Sequence, residues 1–135
     1  MEYQNVEHYK YKLYNEFSIM TDLPPKYMVT RKYFSLVNSR LVVKESYLWD
    51  GVSGPGIDTQ STMIPSLVHD ALYQAIRVRS LPLEARKEVD LFFRKLLRQQ
   101  GMGAIRSTYY YFAVRAFGAL YCIPGTNYVT DVEEV

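Results

Sequence analysis

The sequence predicts an α+β domain, a small N-terminal antiparallel sheet followed by three helices. Three observations predict it. β-Branched and aromatic runs crowd the first third, around an Asn38-Ser39 pair. Beyond residue 60 the apolar residues switch to helical spacing. Between the two lies a glycine-rich stretch, Trp49-Asp50-Gly51-Val52-Ser53-Gly54-Pro55-Gly56. At 135 residues the chain is expected to be one domain with a core of its own.

Residues 1–12 are polar and read as an arm, and 13–60 form the β-rich part. The Pro24-Pro25 pair stops any helix and favours an extended turn. Lys32 to Val37 and Leu41 to Glu45 flank Asn38-Ser39 as a hairpin, and Ser46 to Trp49 extends into the glycine-rich loop. Residues 61–121 are helical. Ser61 or Thr62 caps the first helix, with Pro65 in its first turn, and the helix runs to about Arg79. Its apolar stripe is Leu67, Ala71, Leu72, Ala75 and Ile76. Ser80 and Pro82 separate it from a second helix, Leu83 to Gln100, with stripe residues Leu83, Val89, Phe92, Phe93, Leu96 and Leu97. Gly101 and Gly103 end that helix, and a third runs from Ala104 to Tyr121 until Pro124-Gly125 breaks it. Within it Tyr109 to Phe112 cover every helical face and are expected in the core or a partner interface, with the core preferred. Residues 122–135 form a tail, acidic from Asp131 on.

A net charge of +2, from interspersed acidic and basic residues, gives no clustered basic face and argues against nucleic-acid binding. Arg77, Arg79, Arg94, Lys95 and Arg98 read as solvated helix faces. The single Cys122 excludes an internal disulfide and a cysteine-built zinc site, and its apolar surroundings make it core filler. The first twelve residues lack the apolar segment of a signal peptide. No run reaches transmembrane length without a charge; Tyr109 to Pro124 comes nearest and is broken by Arg115. Thirteen tyrosines suit half-buried surfaces and interfaces without choosing among glycan, lipid and protein partners.

The chemistry concentrates in Ser66-Leu67-Val68-His69-Asp70-Ala71-Leu72-Tyr73. His69 and Tyr73, four apart, share a helical face, and Asp70 points about a hundred degrees away. On the second helix Arg86 and Asp90 are also four apart. Asp90 shares a face with Leu83, Phe93 and Leu97, so it is expected to point inward, where a carboxylate needs partners. His69, Tyr73 and Arg86 are the obvious ones. An aspartate bonded to one imidazole nitrogen sets the tautomer and raises the basicity of the other, which can then act as a general base on water. Asp70, with Asp50 and loop carbonyls, offers the oxygen-rich set that calcium prefers. The same residues fit a structural cluster equally: a satisfied core histidine, an ion pair between helices, and a tight sheet-to-helix connection.

Two resemblances attach to these residues. The chain resembles the phage and prophage family of unknown function numbered 1353. The matching residues are Asp50-Gly51-Val52-Ser53-Gly54-Pro55, His69-Asp70-Ala71-Leu72-Tyr73, Arg86 and Asp90 with Phe92 and Phe93, and Tyr111-Phe112-Ala113-Val114-Arg115-Ala116-Phe117-Gly118. That family implies a phage or prophage origin and supplies no activity. More distantly, the glycine-rich loop, the His-Asp-x-x-Tyr pattern and a later helical Asp look like the core of secreted phospholipases A2. That likeness implies His69 as base, Asp70 as calcium ligand, Asp90 as the orienting acid and Tyr73 as its support. The phospholipase disulfides are absent, and Ser53 and Pro55 depart from its calcium loop.

The expectation is therefore a phage-encoded protein, in the virion or the host cytoplasm. Its leading function is hydrolysis of a lipid or envelope ester. His69, Asp90 and Tyr73 would be catalytic, and Asp70 and Asp50 would hold a divalent cation, calcium favoured and zinc left open. Gly51, Ser53, Pro55 and Arg86 would support the site. The alternative is a non-enzymatic virion or assembly protein whose polar cluster is structural and whose aromatic third helix makes contacts with other phage proteins or with a second copy.

Overall fold

A computed structural model describes residues 3–4, 11–49 and 60–124. It has the expected α+β architecture, antiparallel sheets first and three helices after. The first twelve residues are not all arm: β1 (Tyr3–Gln4) pairs with β2 (Tyr11–Leu13), which pairs in turn with β7 (Leu48–Trp49). The second sheet has the order β3 (Phe17–Met20), β6 (Arg40–Val43), β5 (Phe34–Val37), β4 (Val29–Thr30).

The predicted hairpin is β5–β6. Asn38 and Ser39 both take the left-handed conformation, with φ of 49° and 67°, which matches the twist of the flanking strands. Phe34 opposite Val43 and Leu36 opposite Leu41 fall on one face by the two-residue period, and all four are buried. The Ser39 hydroxyl donates to the Leu23 carbonyl at 2.6 Å and so ties the turn to the segment before the double proline.

α1 (Gln60–Arg77) is the central element. It packs against α2 (Ala85–Gln99) and shares one hydrophobic core with the strands, so nearly all of it is buried rather than one stripe. Two hydrogen bonds fix it to the strands: Tyr47 Oη donates to Gln74 Oε1 at 2.9 Å, and Trp49 Nε1 donates to Ser66 Oγ at 3.2 Å. α1 starts at Gln60, so Pro65 falls in the second turn rather than the first. The helix ends with Arg79 at φ 66°, where glycine is usual, and the Ser80 N–H reaches back to the Ala75 carbonyl. Arg77, read as solvated, is buried and donates to the Tyr121 carbonyl at 2.9 Å.

α2 begins two residues later than the periodicity implies. The carbonyls of Pro82 and Leu83 accept turn bonds from Ala85 and Arg86, which leaves Leu83 exposed before the helix instead of on its stripe. α3 (Ala104–Phe117) tightens at Gly118 into a 3₁₀ turn, Gly118–Cys122. The Tyr109–Phe112 block divides: Tyr110 and Tyr111 are buried, while Tyr109 and Phe112 face outward. Cys122 is buried as expected. Burial pushes its thiol up to about 11 against the opposing pull of Arg86 and Arg77, which leaves it unreactive. Among the described residues no helix is long and apolar enough to cross a membrane.

Candidate functional site

Asp90 is the centre of a polar cluster assembled from three helices. It lies on the inner face of α2 and is fully buried. Its Oδ1 accepts from His69 Nε2 at 2.7 Å and from Tyr73 Oη at 2.6 Å, both on α1. Its Oδ2 accepts from Arg115 Nη1 on α3 at 2.9 Å. Arg86 Nη1, one turn earlier on α2, is 3.6 Å from the same oxygen. The inward carboxylate thus has the partners expected from the sequence and a second arginine besides.

Arg86 does more than pair with Asp90. It donates to Tyr73 Oη at 3.2 Å and to the Val114 and Arg115 carbonyls at 3.0 and 3.2 Å. Those carbonyls belong to the last turn of α3, where a cation is electrostatically welcome. The guanidinium therefore clamps the end of α3 over the α1–α2 pair.

Burial alone would push the Asp90 carboxyl up. The hydrogen bonds from His69, Tyr73 and Arg115 and the charge of His69 outweigh it, and its pKa lies below the usual carboxylate range. Burial first, and then the neighbouring Asp90 charge, push the Tyr73 phenol well above its ordinary value, so it stays a donor. An ionised carboxylate only accepts, so His69 Nε2 carries a proton, and whenever the ring is neutral its lone pair is at Nδ1. Two aromatic neighbours hold that ring, Tyr73 at 4.0 Å and Phe93 at 4.7 Å between centroids. Asp90 and Phe93 are three apart on α2, so one turn of helix supplies both the bond to the imidazole and the surface against its face.

The cluster makes stability depend on pH at both ends. The folded state prefers ionised Asp90, so its contribution is complete above the unfolded-state value near 3.8 and is lost as pH falls through the lower folded value. It also prefers neutral Tyr73, so that contribution is complete below the unfolded value of 10.0 and declines as pH rises past it. Urea midpoints measured across pH should show a plateau between these limits, with the acid limb reduced in Asp90→Asn.

Gly118 belongs to the site through close approach. A Cβ there would collide with the Tyr73 hydroxyl and come within 2.9 Å of Tyr73 Cε2 and 3.1 Å of Arg86 Nη1. Gly118→Ala should displace Tyr73 from Asp90 and cost about 1–3 kcal/mol, the usual range for overpacking. Denaturant titration checks this, and a change below the error of the midpoint would contradict it.

Of the residues expected in the site, His69, Tyr73, Arg86 and Asp90 converge. Asp70 lies partly buried on α1. Asp50, Gly51, Ser53 and Pro55 lie outside the described residues. Trp49, the last described residue before them, is anchored to Ser66, one turn ahead of His69. Among the described residues no three His, Cys, Asp or Glu side chains gather as a metal site, so the described donors alone do not make a cation cage. Arg115, Phe93 and Gly118 were not expected in the site. Arg115 carried a signal, as the charge that interrupts the Tyr109 to Pro124 run; an arginine amid apolar residues on a packed helix needs an acidic partner inside. No protein-family model, curated protein or solved structure matches the chain.

Proposed function

We propose that the chain is a hydrolase that uses His69 as general base on water, with an ester of a lipid or envelope component as substrate. The observation that carries this reading is the 2.7 Å bond from His69 Nε2 to buried Asp90, which directs the imidazole lone pair to Nδ1. In the reaction Nδ1 takes a proton from water as the water oxygen attacks the ester carbonyl carbon. Asp90 holds the resulting imidazolium through Nε2–H. When the tetrahedral intermediate collapses, the carbon–oxygen bond to the leaving group breaks and His69 returns the proton to the departing oxygen. Tyr73, Arg86 and Arg115 act by position, keeping Asp90 ionised and aimed. The more distant resemblance gives the same roles to His69, Asp90 and Tyr73, and the phage-family resemblance makes an envelope ester of the host the natural substrate class.

The cation expectation rests on Asp70 with Asp50 and the loop that follows. Calorimetric titration with calcium, and with zinc in parallel, tests it: saturable binding that Asp70→Asn abolishes supports a cation site, and none removes it. The hydrolase reading is tested by incubating the chain with phosphoglyceride vesicles and short-chain carboxylic esters, with and without calcium. Release of acid that disappears in His69→Gln supports it, and release unaffected by that change contradicts it.

A second reading has its own observation. The carboxylate of Asp90 is bonded from α1 and α3 at once and is fully buried, as a structural lock would be. In that reading the chain is a non-enzymatic phage virion or assembly protein, and the His69→Gln substitution alters stability alone.

A further inference from the structure

We infer that a cavity lined by α2, α3 and the segment at Asp22 binds a phosphate monoester, with Arg94 and Arg98 taking the phosphate. The inference stands apart from the hydrolase reading and uses none of its residues. The cavity holds about 560 Å³, within the roughly 300–1,000 Å³ of small-molecule sites. α2 contributes three cations from one face, Arg94, Lys95 and Arg98, and α3 contributes Thr108.

The carboxylates of the cavity are already engaged. The two Asp22 oxygens accept from Lys95 Nζ at 3.0 and 2.9 Å, and Glu88 Oε1 accepts from Tyr27 Oη at 3.4 Å. Arg94 and Arg98 have no carboxylate at ion-pair distance among the described residues. They stand four apart, so their side chains are neighbours on the helix, and like charges at that spacing repel. An anion between them replaces the repulsion with two charge-assisted contacts.

Arg94 is already oriented for such a contact. It is half-buried, and its guanidinium lies over the Tyr111 ring at 4.7 Å. The ring occupies the face of the guanidinium and leaves its in-plane N–H donors to a ligand. Thr108 precedes Tyr111 by three residues, so one turn of α3 supplies both the ring and a hydroxyl. Two guanidinium forks and a hydroxyl match a phosphate, which presents three acceptor oxygens and a charge of about −1.5 to −2 near neutral pH. A carboxylate presents only two oxygens and a single charge. The cavity has room for more than the phosphate, and Leu91 and Phe92 give the organic body of the ester an apolar wall.

Titration of the full chain with glycerol 3-phosphate, followed by NMR of the backbone amides, tests the inference. Saturable shifts centred on residues 94–98 and Thr108 are the expected result. Arg94→Gln and, independently, Arg98→Gln should weaken binding about tenfold or more, the loss of one hydrogen-bonded charge. Arg98 is exposed, so its substitution leaves the fold intact, which circular dichroism checks. Arg94→Lys keeps the charge without the fork and should weaken binding as well. Arg40→Gln, at an exposed arginine of β6, should bind as the wild type does. Vesicles containing phosphatidic acid separate a lipid headgroup from a soluble ester. Binding to vesicles alone, lost in Arg98→Gln, assigns the phosphate to a headgroup. No saturable binding to either probe overturns the inference. So does binding that Arg94→Gln and Arg98→Gln both retain, or an equal loss in Arg40→Gln.

Discussion

Replacing Asp90 by alanine is expected to lower stability by about 3–5 kcal/mol, the cost of removing one side of a buried charge network. The substitution leaves His69 Nε2–H and the Tyr73 hydroxyl without their acceptor and brings two guanidinium groups together without the carboxylate they surround. The loss is spread over three helices, because the carboxylate is where α1, α2 and α3 meet. For a domain of this length the melting temperature should fall by roughly 10–20 °C. Asp90→Asn keeps the shape and should still destabilise strongly. One amide oxygen cannot serve all the donors, and the amide NH₂ must face one of them. A melting temperature within a few degrees of wild type for Asp90→Ala would mean that the cluster contributes little to the fold.

Replacing His69 by glutamine should separate chemistry from stability. The glutamine amide nitrogen can occupy the place of Nε2 and donate to Asp90 Oδ1, so the carboxylate keeps its partner and the fold should lose no more than about 1–2 kcal/mol. The lone pair at Nδ1 is gone. If His69 is the base, hydrolysis of the ester that the wild-type chain cleaves should fall by about 10²–10⁴-fold, the usual contribution of general base catalysis. Paired denaturation and initial-rate measurements check both halves. A rate that follows the fraction of folded protein would place His69 with the structural residues.

Patterns with a short period carried the fold. The Asn38-Ser39 turn needs left-handed backbone at both positions and received it, and the alternation through Phe34, Leu36, Leu41 and Val43 set the buried face. Leu83 fits the stripe of α2 by spacing alone, while the turn after Pro82 delays the helix to Ala85. The burial of α1 on all sides could not be seen from one stripe. It follows from the strands, α2 and the turn after α3 all sharing surface with α1, which depends on the path of the whole chain. At the site, Asp90 was readable because a carboxylate on an apolar face must be paired. His69 and Tyr73 were readable because they stand one turn apart. Arg115 comes from 25 positions further along, and no local rule gives the register that brings the end of α3 onto α2. Gly118 follows from the same register, since its lack of a side chain matters only where Tyr73 and Arg86 press against it.

Ionised Asp90 holds His69 by Nε2–H and leaves the lone pair of the neutral ring on Nδ1. Nitrogen-15 NMR of the two ring nitrogens, at a pH where the imidazole is neutral, reads this directly. The expected result is a protonated, pyrrole-like Nε2 whose signal shifts in Asp90→Asn, and a bare, pyridine-like Nδ1. A proton on Nδ1 with a bare Nε2 would contradict it.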